Sequence, residues 1–202
     1  MPKLIDHESK KLDIAHAAWK ILLKEGMGGA SVRNIAKEAG ITLGALRYYF
    51  TSQEELLAYT EDLVHANLAE KTSELFMADL LPREKILRLL IGLLPEGREG
   101  DSAPEARLIF KLNASYSQKS YDRSRDSVYQ AVKSVMSNLV MLNLLKKETD
   151  LSLETDRLYL MMDGLAMDLM LQGTEAKTDK LRKILETHLD SICKEQQSRD
   201  QF

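Results

Sequence analysis

The side chains best suited to bind a nucleic acid lie together in one short segment, between Ser31 and Gln53. An arginine can form two hydrogen bonds to a guanine or hold a phosphate, and hydroxyl groups can donate to phosphate oxygens. Backbone amides at helix starts bind phosphate as well, because they lack a partner within the helix. If the segment binds DNA, the contacts would come from Thr42, Leu43, Gly44, Ala45, Arg47, Tyr48 and Tyr49.

Two short helices that meet at Gly40 would position these side chains. Ser31 and Thr42 are each suited to cap a helix, because their hydroxyl oxygen accepts a hydrogen bond from an unpaired backbone amide. Gly44 would let the backbone of the second helix approach DNA closely. The spacing of the apolar residues is typical of a helix-turn-helix, whose second helix enters the major groove, although an ordinary helical hairpin has similar spacing. These apolar residues are Ile35, Ala36, Ile41, Leu46 and Phe50.

The stretch SVRNIAKEAGITLGALRYYFTSQEELL, residues 31–57, closely resembles the signature of the tetracycline-repressor (TetR) family of bacterial transcriptional regulators. With the first helix and the start of the fourth, the resemblance covers about residues 8–68. It implies that Ser31 touches phosphate, that Thr42–Ala45 begin the recognition helix, and that the Tyr48–Tyr49 pair contacts the DNA backbone. It also implies DNA contacts from Val32, Arg33 and Gln53.

Two residues depart from the family pattern. Arg47 stands where many members have a tyrosine, and it could read a guanine or hold a phosphate. Gln53 stands where a lysine usually grips phosphate. The loss of that ionic contact should make DNA binding slightly less sensitive to salt.

The remainder of the chain also predicts helices, since apolar residues recur three and four positions apart and no strand pattern competes. We expect an all-α fold of about nine helices, with residues 8–68 as a DNA-binding domain and 69–202 as an effector-binding and dimerisation domain. Pro82 suits the first turn of the fifth helix, Ser152 the cap of the eighth, and Lys146 the end of the seventh. The first helix is expected at about 9–25, the clearest loop at 95–104 and the sixth helix at 105–117.

The charge distribution is compatible with DNA binding at the N-terminal end. The chain carries a net charge of −3, but residues 1–50 carry +3 and the remainder −6. Because phosphate attraction depends on the local field, an acidic protein with a basic end can still bind DNA.

The run YLMMDGLAMDLML, residues 159–171, resembles the branch of the family with a BetI-like C-terminal domain. The resemblance implies that the eighth and ninth helices pair with their copies across a two-fold axis as a four-helix bundle. Asp163 would be a structural hydrogen-bond acceptor, whereas Asp168 could pair across the dimer or meet a cationic ligand. The expected interface residues are Leu165, Leu169, Leu181, Ile184, Leu185, His188, Leu189 and Ile192.

The resemblance also implies a small-molecule effector, held in a pocket among the fourth to eighth helices. Methionines would suit an adaptable apolar lining, although each of these residues could equally belong to a plain core. The candidates for the lining are Phe110, Tyr116, Met136, Met161 and Met162.

Other classes of site are not supported by the sequence. We expect no metal and no cofactor, because His65 and His188 lack partners at metal-ligand spacing and no phosphate loop is present. Cys193, the single cysteine, is expected to be a small core or interface residue. No set of catalytic residues stands out, so an enzyme is not expected.

The sequence also limits where the protein acts. No apolar run approaches the ~18 residues needed to cross a bilayer, and the first residues lack the core of a signal peptide, so we expect a cytoplasmic protein with no membrane partner. The leading hypothesis is a repressor that binds a near-palindromic operator as a dimer and is released by an effector. A helical assembly protein is the alternative, but the intact segment from Thr42 to Phe50 argues against it.

Overall fold

The computed structural model describes residues 2–77, 79–95, 102–116, 121–172 and 178–194, and within these ranges the chain is helical. A 3₁₀ turn precedes the seventh helix, and one isolated bridge joins Leu145 to Cys193. The predicted all-α fold of about nine helices is confirmed. The helices are α1 (Pro2–Gly29), α2 (Val32–Glu38), α3 (Leu43–Tyr49), α4 (Gln53–Met77), α5 (Pro82–Gly92), α6 (Ala103–Tyr116), α7 (Ser127–Met141), α8 (Leu151–Gln172) and α9 (Thr178–Ile192).

The chain forms two compact units, which we call the head unit and the body unit. The head unit comprises residues 1–68 and 95–121, and the body unit comprises residues 69–94 and 122–202. α6 therefore belongs to the head unit, where it packs on α1. The predicted domains, 8–68 and 69–202, have the same boundary after residue 68, but they assign α6 to the second domain and not to the head unit. The division into a DNA-binding and an effector-binding domain stays a prediction.

α1 is longer than the sequence pattern indicated. It was expected from about residue 9 to residue 25, but it begins at Pro2, while the predicted end is confirmed, because the range Pro2–Gly29 joins two helices across a kink at Gly26. Gly26 interrupts it with φ 67 and ψ −171, a conformation that glycine adopts without steric cost. The apolar face of α1 is fully buried in the head unit, and Ala18 and Leu22 are both 0% exposed.

A buried carboxylate joins α7 to α8 in the body unit. Asp126 is 1% exposed, and its Oδ1 accepts hydrogen bonds from the amides of Val128 (2.9 Å) and Tyr129 (3.2 Å), which caps α7. Its Oδ2 accepts from the hydroxyl of Tyr159 at 2.9 Å. Because both oxygens have partners, much of the cost of burying the charge is offset.

The cap of α8 differs from the predicted one. Ser152 was expected to be the capping residue, but the Oδ1 atom of Asp150 accepts from the amides of Ser152 (3.0 Å) and Leu153 (3.1 Å). The helix accordingly begins at Leu151. An aspartate caps as well as a serine, and its charge also interacts favourably with the helix dipole.

Lys146 serves a different helix from the one that its position in the sequence suggested. α7 ends at Met141, and the Nζ atom of Lys146 donates to the carbonyl oxygens of Asp190 (3.2 Å) and Ser191 (2.8 Å), near the end of α9. The last carbonyls of a helix lack partners within it and favour a cation. Lys146 therefore does bind the carbonyls at a helix end, as predicted, but the helix is α9 and not α7.

α9 is also held to α5 by an ion-pair network. Arg182 Nη2 lies 2.6 Å from Glu84 Oε2, and Arg88 Nε lies 2.8 Å from Glu84 Oε1. Hydrogen bonds from Arg182 and then from Arg88 lower the pKa of Glu84 to about 2. The carboxylate is therefore charged at neutral pH, and its ion pair with Arg182 bridges the two helices.

We predict that Asp126→Ala lowers the free energy of unfolding by about 2–4 kcal/mol, because it removes the α7 cap and the buried carboxylate that accepts from the hydroxyl of Tyr159. Urea-induced unfolding, followed by circular dichroism, measures the change. The matched control is Asp122→Ala, since Asp122 is exposed and caps only the short 3₁₀ turn. Equal losses for the two variants would contradict the role given to the buried carboxylate.

Candidate nucleic-acid interface

α2 begins at a serine cap that also faces the solvent. Ser31 Oγ accepts from the amide of Asn34 at 3.3 Å, and Asn34 Nδ2 donates to the carbonyl of Gly29 at 3.0 Å. The hydroxyl oxygen is used in the cap, which leaves its proton to donate to a phosphate. Beside it Val32 is half-buried and Arg33 is exposed, so three of the predicted contacts are grouped at this helix start.

The turn between α2 and α3 is a Schellman motif. Gly40 has φ 66, and its amide donates to the carbonyl of Lys37 at 3.2 Å, while the amide of Ile41 donates to the carbonyl of Ala36 at 3.0 Å. These two bonds satisfy carbonyls that the helix end leaves unpaired. A side chain at position 40 would be strained, so the glycine sets the angle at which α3 leaves α2.

α3 presents a polar face to solvent and an apolar face to the head unit. Thr42 Oγ1 accepts from the amide of Ala45 at 3.1 Å, which caps the helix as predicted. Leu46 and Phe50 are each 1% exposed and anchor the helix. The exposed residues of α3 are Gly44, Arg47 and Tyr48, while Leu43, Ala45 and Tyr49 are half-buried.

Gln53 has a structural hydrogen bond that the sequence did not predict. Its Nε2 atom donates to the carbonyl of Ala30 at 3.0 Å, directly before the Ser31 cap. The side chain is half-buried and joins the start of α4 to the start of α2. Its expected DNA contact stays a prediction, since its amide nitrogen already has a partner within the protein.

The start of α4 forms a variant of the capping box. Ser52 Oγ accepts from the amide of Glu55 at 3.1 Å, but Glu55 Oε2 accepts from the amide and the hydroxyl of Thr51, both at 2.7 Å. The hydroxyl and then the amide of Thr51 hold the pKa of Glu55 below its usual value. In the standard capping box the glutamate accepts from the amide of the capping residue itself, which is Ser52 here, whereas Glu55 accepts from the residue before it.

Two aromatic residues of the head unit carry contacts that sequence analysis missed. Tyr59 packs edge-on against Phe50, with ring centroids 5.5 Å apart, and Lys11 Nζ lies 5.4 Å from the Phe50 ring centroid. Burial, and then the charge of Glu8, raise the pKa of Tyr59. The signal that could have found the contact of Lys11 with Phe50 is the helical spacing, which places Lys11 one turn from the buried face of α1.

Two of the predicted effector-pocket residues line two different clefts of the described residues, and the predicted pocket stays a prediction. Phe110 is 6% exposed and lines a cleft of about 290 Å³ in the head unit, between α4, α6 and the end of α1. Met136 lines a cleft of about 350 Å³ in the body unit, between α7 and the start of α8. Met162 is buried and Met161 is half-buried, whereas the side chain of Tyr116 lies outside the described residues.

Most of the predicted interface residues are buried inside the body unit. On α9, Leu181 and Ile184 are half-buried, while the others are at most 7% exposed: Leu185, His188, Leu189 and Ile192. On α8, Leu169 is 6% exposed and Leu165 is half-buried. Residues this deeply buried have little surface left to contact a partner. Their burial argues against an interface role, which stays a prediction.

The exposed apolar face of α8 consists of other residues. Leu153, Leu160 and Leu171 are 58%, 60% and 76% exposed, and Gly164 is exposed between them. Their spacing of seven, four and seven residues is the heptad spacing of helices that pair side by side. This heptad spacing is visible in the sequence and is the signal that could have identified the exposed face.

The acidic and histidine side chains of α8 and α9 are placed differently from one another. Asp168 is exposed and accepts from Gln172 Nε2 at 2.6 Å, and both of its predicted roles stay predictions, whereas Asp163 is half-buried. His188 Nε2 lies 4.0 Å from Glu154 Oε2, and burial lowers the pKa of this histidine. Among the residues that the structure describes, no three potential metal ligands come together.

Comparison with known proteins identifies the chain by both of its halves. The family model "Bacterial regulatory proteins, tetR family" matches residues 14–60, and the model "BetI-type transcriptional repressor, C-terminal" matches residues 82–194. The HTH-type transcriptional regulator PksA of Bacillus subtilis (strain 168) is 39% identical over 195 residues, which cover 96% of this chain and 95% of that protein. The chain belongs to the TetR family. Its relatives are transcriptional regulators and not enzymes, and it is a DNA-binding transcriptional regulator.

Solved structures confirm the TetR fold. A transcriptional regulator from Rhodococcus sp. Rha1 superposes with a TM-score of 0.77 at 22% identity, covering 90% of this chain and 95% of that one. A structure described as the molecular basis for control of antibiotic production by bacterial hormones also has a TM-score of 0.77, at 17% identity, covering 92% and 98%. In the described part of the chain, no helix has both the length and the apolar character needed to span a membrane.

We predict that Gln53→Ala lowers the free energy of unfolding by about 1 kcal/mol, because it removes a bond to the carbonyl of Ala30, a fully buried residue. The control is Gln130→Ala, whose amide makes a similar bond to the carbonyl of Ser124 at an exposed site. Urea unfolding measures both variants. If Gln53→Ala costs no more than Gln130→Ala, the link between α4 and α2 has no structural role.

Proposed function

We propose that this TetR-family regulator is a repressor that binds a near-palindromic operator as a homodimer and leaves it when a small-molecule effector binds. The observation that carries the proposal is the geometry of α3, whose apolar side is anchored by Leu46 and Phe50 while Arg47 and Tyr48 point outward. An assembly protein would not require such a helix. Because the operator lies on the chromosome, we place the protein in the cytoplasm.

The DNA contacts divide into two kinds. Arg47 is exposed at the centre of α3 and has the reach to form two hydrogen bonds to a guanine in the major groove. The other contacts position the protein on the backbone. The hydroxyls of Ser31, Thr42 and Tyr48 donate to phosphate, Arg33 adds a cation, and Gly44 allows close approach, since a Cβ there would meet only Thr42 Oγ1, at 3.9 Å.

We predict that Arg47→Ala weakens binding to a duplex selected by the wild-type protein by about 1–3 kcal/mol, and that it relaxes the base preference at one position of each half-site. Fluorescence anisotropy with the selected duplex and its single-base variants measures both effects. Lys20→Ala is the control, because it removes an equal charge from an exposed position on α1. Weaker binding with an unchanged base preference would reduce Arg47 to a phosphate contact.

The dimer is proposed to form through the exposed apolar face of α8. Leucines at 153, 160 and 171 leave apolar side chains in solvent along most of the helix, and contiguous exposed apolar surface of this kind marks an interaction site. A face with heptad spacing is self-complementary when it meets its own copy across a two-fold axis. Gly164 lies near its middle, where the absence of a side chain would let the two helices approach closely.

We predict that Gly164→Leu converts the dimer into a monomer without unfolding the chain. A Cβ at this position meets no atom within 4 Å in the isolated chain, and leucine is the better helix former, so only an approaching partner would be displaced. Sedimentation equilibrium should show at least a tenfold higher dimer dissociation constant. Ser134→Leu adds the same side chain on the exposed face of α7 and should leave the dimer intact; an unchanged mass for Gly164→Leu would refute the α8 interface.

Two clefts lie at the lower end of the size range of small-molecule sites, the one lined by Phe110 and the one lined by Met136. A regulator of similar fold is described in connection with control by hormones, which supports an effector for this chain. The effector would release DNA by binding more tightly to a conformation of low DNA affinity. A compound that raises the melting temperature and lowers operator affinity in the same concentration range meets this expectation.

A further inference from the structure

Three aromatic rings meet at the start of the head unit, one from α1 and two from α3. The imidazole centroid of His7 lies 5.0 Å from the ring centroid of Tyr49 and 5.8 Å from that of Tyr48. The two tyrosine rings are themselves 5.2 Å apart and nearly perpendicular, at 86°. All three distances fall in the range in which aromatic rings attract one another, so the rings form one mutually packed cluster.

His7 is not part of what the chain shares with the family model. The matched DNA-binding segment begins at residue 14, seven residues after His7. The histidine sits in an early turn of α1, which begins at Pro2. Any role for it must therefore follow from its contacts in this chain.

The cluster supports the most exposed ring of α3. Tyr48 is 75% exposed, and a side chain with so little packing would sample several rotamers unless a neighbour restrains it. His7, whose side chain is 35% exposed, and the half-buried Tyr49 supply that restraint. A ring that is already ordered loses less conformational entropy when it binds DNA, and this saving corresponds to about a two- to tenfold gain in affinity.

We propose that His7 is a positioning residue for DNA recognition, which holds Tyr48 and Tyr49 in the orientation that α3 presents to the operator. The proposal rests on the DNA-contacting role given to these tyrosines above. A direct ionic contact between His7 and phosphate is less favoured, because Glu8 Oε1 lies 3.7 Å from His7 Nδ1 and would offset a positive charge there. The imidazole acts through its ring.

The test compares His7→Ala, His7→Phe and the wild type on the selected duplex under one set of solution conditions. His7→Ala should weaken binding two- to tenfold, and His7→Phe should restore it to within twofold, because phenylalanine keeps the ring. The dependence on salt should be the same for all three. His16→Ala is the control, since His16 stacks on Trp19 and is exposed elsewhere on α1.

Two results would overturn the proposal. One is an affinity of His7→Ala equal to that of the wild type. The other is a His7→Phe variant as weak as His7→Ala, with a salt slope lower by about 0.9, which would make the residue a phosphate contact.

A second measurement needs no DNA. In the free protein, the aromatic signals of labelled Tyr48 and Tyr49 should shift in His7→Ala and stay in place in His16→Ala, because only His7 lies against their rings. Unchanged tyrosine signals in His7→Ala would refute the positioning role. If the wild type selects no duplex while the tyrosine signals do shift, the proposed operator recognition fails and the ring contact stands.

Discussion

The turn at Gly40 is the constraint on which the DNA-binding surface depends. Its positive φ closes two hydrogen bonds at the end of α2 and sends the chain into α3 at a defined angle. Buried Leu46 and Ile35 then hold the two helices together. Because every outward residue of α3 takes its direction from this geometry, the positions of Arg47 and Tyr48 depend on the glycine.

The body unit is stabilised by a different kind of interaction. Asp126 satisfies the start of α7 and the hydroxyl of Tyr159 with one buried carboxylate, and Glu84 links α5 to α9 through Arg182. These polar contacts specify which helices meet. The leucines exposed on α8 remain outside this packing, and so the proposed dimer draws on apolar surface that the fold of one chain does not use.

Sequence analysis was most accurate where the controlling interaction is local. The caps at Ser31 and Thr42 and the turn at Gly40 involve residues within five positions of one another. It was least accurate where the partner is distant in the sequence. Lys146 binds carbonyls more than forty residues away, and Gln53 binds the carbonyl of Ala30, so neither contact leaves a periodic trace.

The sequence by itself determined the family, the helical class and the face of α3, because short-range hydrogen bonding and apolar periodicity act between neighbours along the chain. Only the tertiary structure decided which apolar residues are left exposed. Leu185 and Leu189 continue the apolar pattern of α9 and are buried inside the body unit, whereas Leu160 and Leu171 of α8 are exposed. It also brought His7 against Tyr48 and Tyr49. Burial and ring contacts depend on how helices that are distant in the sequence pack together. The periodicity of one helix does not specify which helices pack against it.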